Sequence, residues 1–337
     1  MNETPRAGVG RITAAIVAIA AMLPYLTLKV LWLTGSPVGV TDPALMDDST
    51  MYGMNVLTFG MDAVALVLAL GFTMRWGMRL PAWLVLLPLW VGTGLLGVIV
   101  VTTPLGLLLE GAALFDVGGP IEPWVYVMVY GGFIGQGVGL MAAFVLYARD
   151  RWPAVFTTTA EAPYQSLTRP FQRVVAWGSL LVAAVIGGVR FSWAFGGDAG
   201  LPPEAAAAMT SAGALQQGIK GLLALAAGVA LVALVRANVR RPFWQPLVVA
   251  WLGSGSLFGW GLYAMIITAT AAPLSGGATG LTDLLELFGM LTGMAMGMCG
   301  AFLLAERSAV RHVQPAQQPL EAEDGDGDRQ PAYHGHR

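Results

Sequence analysis

No charged residue interrupts the chain between Arg79 and Glu110. A run of that length and polarity has few options, because a bilayer core accepts only backbone that satisfies its own hydrogen bonds. About 20 apolar residues span that core as a helix, and segments of this kind recur along the sequence. Charged residues make up 11% of the 337 positions, against about 25% in a soluble domain. The reading is an all-α membrane protein with eight transmembrane helices. These are expected at 11–34, 54–75, 80–103, 123–148, 171–195, 213–235, 243–270 and 281–305. The linker 149–169 carries basic residues and prolines. The tail 306–337 is acidic, with Glu321, Glu323, Asp324, Asp326 and Asp328, and is expected to be disordered because it has little apolar surface to bury.

The spans fall into two sets of four. Lys29-x-x-Trp32-x-x-Gly35-Ser36-x-x-Gly39 returns as Arg190-x-x-Trp193-x-x-Gly196-Gly197-x-x-Gly200, displaced by 190 − 29 = 161 residues. Arg79-Leu-Pro81-x-Trp83 followed by Trp90-x-Gly92-Thr93-Gly94 returns as Arg240-Arg-Pro242-x-Trp244 followed by Trp251-x-Gly253-Ser254-Gly255, again at 240 − 79 = 161. Gly131, Gly135 and Gly139 answer to Gly289, Gly293 and Gly297 at 289 − 131 = 158. The same order at near-constant offset predicts a duplication, with repeat one at 1–148 and repeat two at 170–305. Four helices is an even number, so the copies insert in the same sense, as parallel repeats about an axis along the membrane normal. Arg6 and Arg11 ahead of an apolar run resemble a signal peptide, but the run continues to Leu33 and its copy is internal, so the segment is expected to stay in the fold.

The 18 basic residues give the orientation. Lys29, Arg190 and Lys220 lie inside helices, and the other 18 − 3 = 15 fall in the N-terminal segment, the 75–79 and 236–241 turns, the linker with the start of the fifth helix, or the tail. The loops after helices 1, 3, 5 and 7 hold only acidic charges. The positive-inside rule puts both termini in the cytoplasm.

Seven polar residues at membrane depth are candidates for a substrate or ion site: Lys29, Asp62, Arg190, Gln216, Gln217, Lys220 and Glu286. Lys29 and Arg190 sit near the outer ends of their helices. Two readings stand: side chains that snorkel to the headgroups beside interfacial Trp32 and Trp193, or an outer anion or headgroup site. The following glycines either let backbone approach a ligand or end the helix. Asp62 and Lys220 are placed at similar depth and expected to pair between the repeats, as a structural lock or as a proton or substrate site. Gln136 and Glu286 are candidates for the same cavity. The Gly-x-x-x-Gly ridges are read as helix packing, Asp47-Asp48-Ser49-Thr50 as a helix cap, and Cys299 as a small buried filler.

Much chemistry is disfavoured. The one cysteine removes a disulfide framework, and His312, His334 and His336 all lie in the tail, so intramembrane haem or histidine-metal ligation is not expected. Neither a zinc-protease motif nor a phosphate-binding loop is present. The chain is therefore not read as an enzyme, and no cofactor, metal or nucleic-acid partner is expected. The lipid bilayer is the expected partner, together with another membrane protein or a second copy.

The tryptophan-glycine motif closing a first helix, with Arg-x-Pro-x-Trp and a second Trp opening a third, resembles small four-helix bacterial membrane proteins of unknown function, of an actinobacterial type. Here the unit occurs twice, at 29–94 and 190–255, with Ser36 departing from the glycine of the pattern. The resemblance implies a fold unit and the bacterial cytoplasmic (inner) membrane, and no activity. The functional expectation is a small-solute or proton-linked permease with a polar site between the repeats. The alternative is a structural or regulatory subunit acting through its loops or tail.

Overall fold

The computed structural model describes residues 7–116, 119–158, 168–236, 242–271 and 280–313. Residues 306–313, expected to belong to a disordered tail, are instead helical and continue the last helix, while the rest of that tail and the arginines Arg240 and Arg241 lie outside the described residues. Among the described residues, eight helices are long and apolar enough to cross a bilayer, and the chain is a multi-pass membrane protein. They are α1 (Val9–Leu33), α2 (Ser49–Thr73), α3 (Ala82–Glu110), α4 (Pro123–Arg151), α5 (Arg169–Ala194), α6 (Ser211–Arg236), α7 (Trp244–Ala271) and α8 (Leu281–Val313). Residues 1–300 form one compact unit and residues 301–337 a second. The second contains the last part of α8.

Three boundaries differ from the sequence reading by five residues or more, the end of α8 at Val313 rather than 305 among them. Helix α2 begins at Ser49 rather than 54, because Asp48 caps it: its side chain accepts from the backbone N–H groups of Thr50 and Met51 at 2.7 and 2.9 Å. These bonds hold the exposed Asp48 carboxyl below its ordinary range. The cap itself is as the sequence suggested. Helix α3 runs on through Pro104 to Glu110, so Leu105 to Leu109 continue a span instead of lying in the interface.

Lipid gives apolar side chains no reason to cluster, so close backbone approach has to hold the helices together. Small residues supply it. A methyl group on Gly139 of α4 would lie 2.7 Å from the Ala18 nitrogen and 2.8 Å from the Ala14 oxygen of α1, and one on Gly135 would lie 2.7 Å from the Ala21 methyl. The ridge that touches α1 is thus Gly132, Gly135 and Gly139, while Gly131 has open space. On α8 the matching glycines face another helix: a methyl on Gly293 would lie 2.5 Å from the Phe258 nitrogen of α7, and one on Gly297 2.8 Å from the Trp90 ring.

The closest crossing joins α3 and α7. A methyl on Gly94 would lie 2.1 Å from the Gly255 carbonyl carbon, and one on Gly255 2.4 Å from the Trp90 oxygen. Around it two bonds run reciprocally. Trp90 Nε1 donates to Ser254 Oγ and Trp251 Nε1 to Thr93 Oγ1, both at 3.0 Å. The partners match by offset: 251 − 90 = 161 and 254 − 93 = 161.

Both helix ends in the recurring motif are built alike. Gly35 and Gly196 take φ of 84° and 88°, and Gly39 and Gly200 take 73° and 80°. The Ser36 N–H donates to the Leu31 oxygen at 2.9 Å, and the Gly197 N–H to the Ser192 oxygen at 2.8 Å. With the N–H of Gly35 donating to the Trp32 oxygen at 3.1 Å and that of Gly196 to the Trp193 oxygen at 3.2 Å, this is the Schellman helix ending. Only its first position needs positive φ, so serine is tolerated at Ser36. Trp32 Nε1 then ties down the Val38 oxygen at 2.8 Å, and Trp193 Nε1 the Ala199 oxygen at 3.0 Å.

The two ends of the first four helices are distinct. At one end the loop after α1 meets the segment before α4, through the Val40–Ile121 bridge and the bond from the Glu122 N–H to the Gly39 oxygen. At the other, Arg11 pairs with Asp150 at 2.7 Å, while Arg151 donates to the Leu80 and Gly77 carbonyls of the α2–α3 turn.

Candidate functional site

Lys29 and Arg190 do not snorkel. Their side chains are 5% and 3% exposed and point into the bundle, and Trp32 and Trp193 are buried with them rather than lying among headgroups. Each cation anchors a polar cluster of its own.

In the first cluster Lys29 Nζ donates to Asn55 Oδ1 at 2.7 Å. Its charge sits 4.7 Å from the Tyr25 ring centroid and 4.9 Å from that of Trp32. Tyr25, Lys29 and Trp32 fall at i, i+4 and i+7, so one face of α1 carries all three. Asp62 Oδ1 accepts from Gln136 Nε2 of α4 at 3.1 Å, while Oδ2 is buried without a partner. Lys29 and Asp62 lie within electrostatic range of one another, as do Tyr25, Tyr130 and Tyr263.

In the second cluster Arg190 spreads over two partners, donating to Gln217 Oε1 of α6 at 2.6 Å and Glu286 Oε1 of α8 at 2.8 Å. Its Nε is buried without a partner. Lys220 Nζ lies 4.0 Å from the Trp260 ring centroid on α7 and within electrostatic range of Arg190 and Glu286. The Trp260 Nε1–H is also buried and unpartnered. Trp260 packs edge-on against Tyr263 at 6.1 Å, so two residues of α7 reach the two clusters in turn. Gln216 is half-buried beside them and is hydrogen-bonded to neither cluster.

The expected Asp62–Lys220 ion pair is not formed, and depth explains why. With α2 starting at 54, Asp62 stands eight positions in. From the observed start it stands thirteen (62 − 49 = 13), while Lys220 is nine positions into α6 (220 − 211 = 9). Four residues amount to about 6 Å of rise. Gln136, however, is thirteen positions into α4 (136 − 123 = 13), and α2 and α4 start on the same side. Depth matching also accounts for Arg190 and Glu286, four residues from the end of α5 and five from the start of α8. The partners that sequence reasoning missed, Asn55 for Lys29 and Trp260 for Lys220, are uncharged, and a search for opposite charges passes over them.

Among the described residues no group of three or more metal-ligating side chains occurs. No family model, curated protein or solved structure matches the chain.

Proposed function

We propose that the chain is a tandem duplication of a four-helix unit, set in a bacterial cytoplasmic membrane with both termini inside. We propose further that it moves a small solute or protons across that membrane. The observation that carries the transport reading is the pair of buried polar clusters with hydrogen-bonding capacity left over: Asp62 Oδ2, Arg190 Nε and Trp260 Nε1 have no partner among the described residues. Polar groups at membrane depth are costly unless paired or used, and a purely structural interior would be expected to satisfy them. The duplication is supported by the reciprocal Trp90–Ser254 and Trp251–Thr93 bonds, the pattern two like units make about a two-fold axis. The orientation rests on the basic side of the bundle, where Arg11, Arg75, Arg79, Arg149 and Arg151 gather.

A second reading, a structural or regulatory subunit, is favoured by the bonds that Lys29 and Arg190 make to neighbouring side chains. Proteoliposomes containing the full chain and an internal pH dye separate the two. Transport predicts flux, of protons alone or with a small solute, that Asp62→Asn abolishes without loss of folding. If the wild type moves neither protons nor a panel of small ions, sugars and amino acids, the transport reading fails. Orientation is tested by replacing Cys299, the one cysteine, with alanine, then labelling Val38→Cys and Met74→Cys in intact cells. The impermeant reagent is expected to reach position 38 only.

A further inference from the structure

The two clusters differ in charge balance. The first holds Lys29 and Asp62, one cation and one anion. The second holds Arg190, Lys220 and Glu286, by formal charge two cations and one anion, a formal excess of 2 − 1 = 1 positive charge. Arg190 is 3% exposed, the Glu286 side chain 19% and Lys220 half-buried, so this excess is only partly open to its surroundings. A cation–π contact with Trp260 offsets part of the cost but adds no negative charge.

Among the described residues, Arg190 Nε and Trp260 Nε1 are buried without a partner, and the half-buried Lys220 ammonium lies over the Trp260 ring with no hydrogen bond to a described residue. The walls are tight. A methyl on Gly261 of α7 would lie 2.5 Å from the Glu286 backbone carbonyl oxygen of α8, and one on Gly187 of α5 3.2 Å from the Gly221 backbone oxygen of α6. Close helix packing on both flanks favours a ligand the size of a small ion over a sugar or an amino acid.

We propose that the Arg190–Lys220–Trp260 cluster binds one small monovalent anion of the halide or nitrate class, entering past Glu286. One charge of excess matches one negative charge, and unused N–H donors match a ligand that only accepts. A divalent phosphate or sulfate would overcompensate the site and exceed its donors. The inference deepens the transport reading by naming a substrate class, yet binding is measurable without flux.

The test uses the full chain in zwitterionic nanodiscs, with sodium chloride or nitrate exchanged for gluconate at constant ionic strength. A saturable rise in Tm with chloride or nitrate is expected. Lys220→Met should abolish it and Lys220→Arg should keep it. No anion-specific rise in the wild type, or a rise that survives Lys220→Met, overturns the proposal. If Lys220→Met does not fold, bromide soaked into wild-type crystals decides. An anomalous peak within hydrogen-bond distance of Lys220 Nζ and Trp260 Nε1 supports the site, and a peak elsewhere or none refutes it. Chloride flux in liposomes is scored separately. Binding without flux of any kind leaves the site and removes the transport reading. Flux of protons or another solute without anion binding does the reverse.

Discussion

Gly94→Ala tests the α3–α7 crossing more sharply than any other single change. The added methyl would stand 2.1 Å from the Gly255 carbonyl carbon and 2.4 Å from its oxygen, where ordinary contact begins near 3.4 Å, so the helices must part by about 1 Å. Both obstacles are backbone, which no rotamer change can clear. Overpacking of this kind costs about 1–3 kcal/mol. Separation also stretches the Trp90–Ser254 and Trp251–Thr93 bonds, each worth about 0.6 kcal/mol inside a membrane protein. Alanine returns about 0.5–1 kcal/mol of helix propensity. The net is a loss on the order of 1–3 kcal/mol. The control is Gly92→Ala two residues away, where a methyl meets nothing within 4 Å and only the propensity gain remains. Equilibrium unfolding in mixed detergent micelles measures both. If Gly94→Ala unfolds no more readily than Gly92→Ala, the two helices do not cross in the way described.

Three further outcomes are expected. Arg190→Met should cost on the order of 2–3 kcal/mol, somewhat less than the loss from breaking a fully buried pair because Glu286 is partly reachable by water. Adding Glu286→Leu should recover part of that loss, and a double mutant worse than the single refutes the pairing. A double-mutant cycle on Asp62 and Lys220 should be additive within about 0.5 kcal/mol, whereas one on Asp62 and Gln136 should show coupling. Asp48 has its folded-state pKa lowered by the N–H bonds it accepts. Its contribution to stability is therefore present at neutral pH, above the unfolded value, and is lost as pH falls through the depressed folded value. Asp48→Asn should keep the cap and remove that acid dependence, which unfolding curves between neutral and acid pH would show.

What the sequence made legible follows from the physics of each feature. Spans are set by apolar length, so all eight helices could be read, with starts within five residues but with α3 and α8 running seven and eight residues past their expected ends. The Lys29 and Arg190 motifs were readable as helix endings because a Schellman turn depends on local residues, Gly35 and Gly196. Side-chain direction was not readable. Whether Lys29 turns outward to headgroups or inward to Asn55 depends on which face of α1 packs on α2 and α4, and a helix apolar on all sides does not disclose that. The pairing of Asp62 failed on a boundary: five residues of extra helix ahead of Met54 moved it about 7.5 Å along the axis, from the level of Lys220 to that of Gln136. Partner choice within a bundle is a matter of depth, and depth inherits every error in a helix start.

The two clusters invite one more step. The cation occupies the same motif position in both halves, Lys29 and Arg190, but the carboxylate does not: it comes from the second helix as Asp62 and from the eighth as Glu286. The position matching Glu286 in the first half is Met128 (286 − 158 = 128), half-buried against Leu28, Trp32 and Val125. The position matching Asp62 in the second half is Leu223 (62 + 161 = 223). A buried cation needs a counter-charge nearby but not on a particular helix, so, on the proposed duplication, the carboxylate is free to differ in position between the halves while the cation keeps its place. That reasoning is testable by transplanting the second arrangement into the first. Asp62→Leu alone leaves Lys29 without its nearby carboxylate and should destabilise the bundle by about 2 kcal/mol, less than the loss from a bonded buried pair because Asn55 and two aromatic rings remain. Adding Met128→Glu places a carboxylate where Glu286 stands relative to Arg190 and should restore at least half of the loss. Met128→Glu on the otherwise unchanged chain adds a second acid beside one cation and should destabilise it. Thermal unfolding of the four proteins in one detergent decides. If Met128→Glu lowers Tm equally in both backgrounds, Lys29 does not accept a counter-charge from α4.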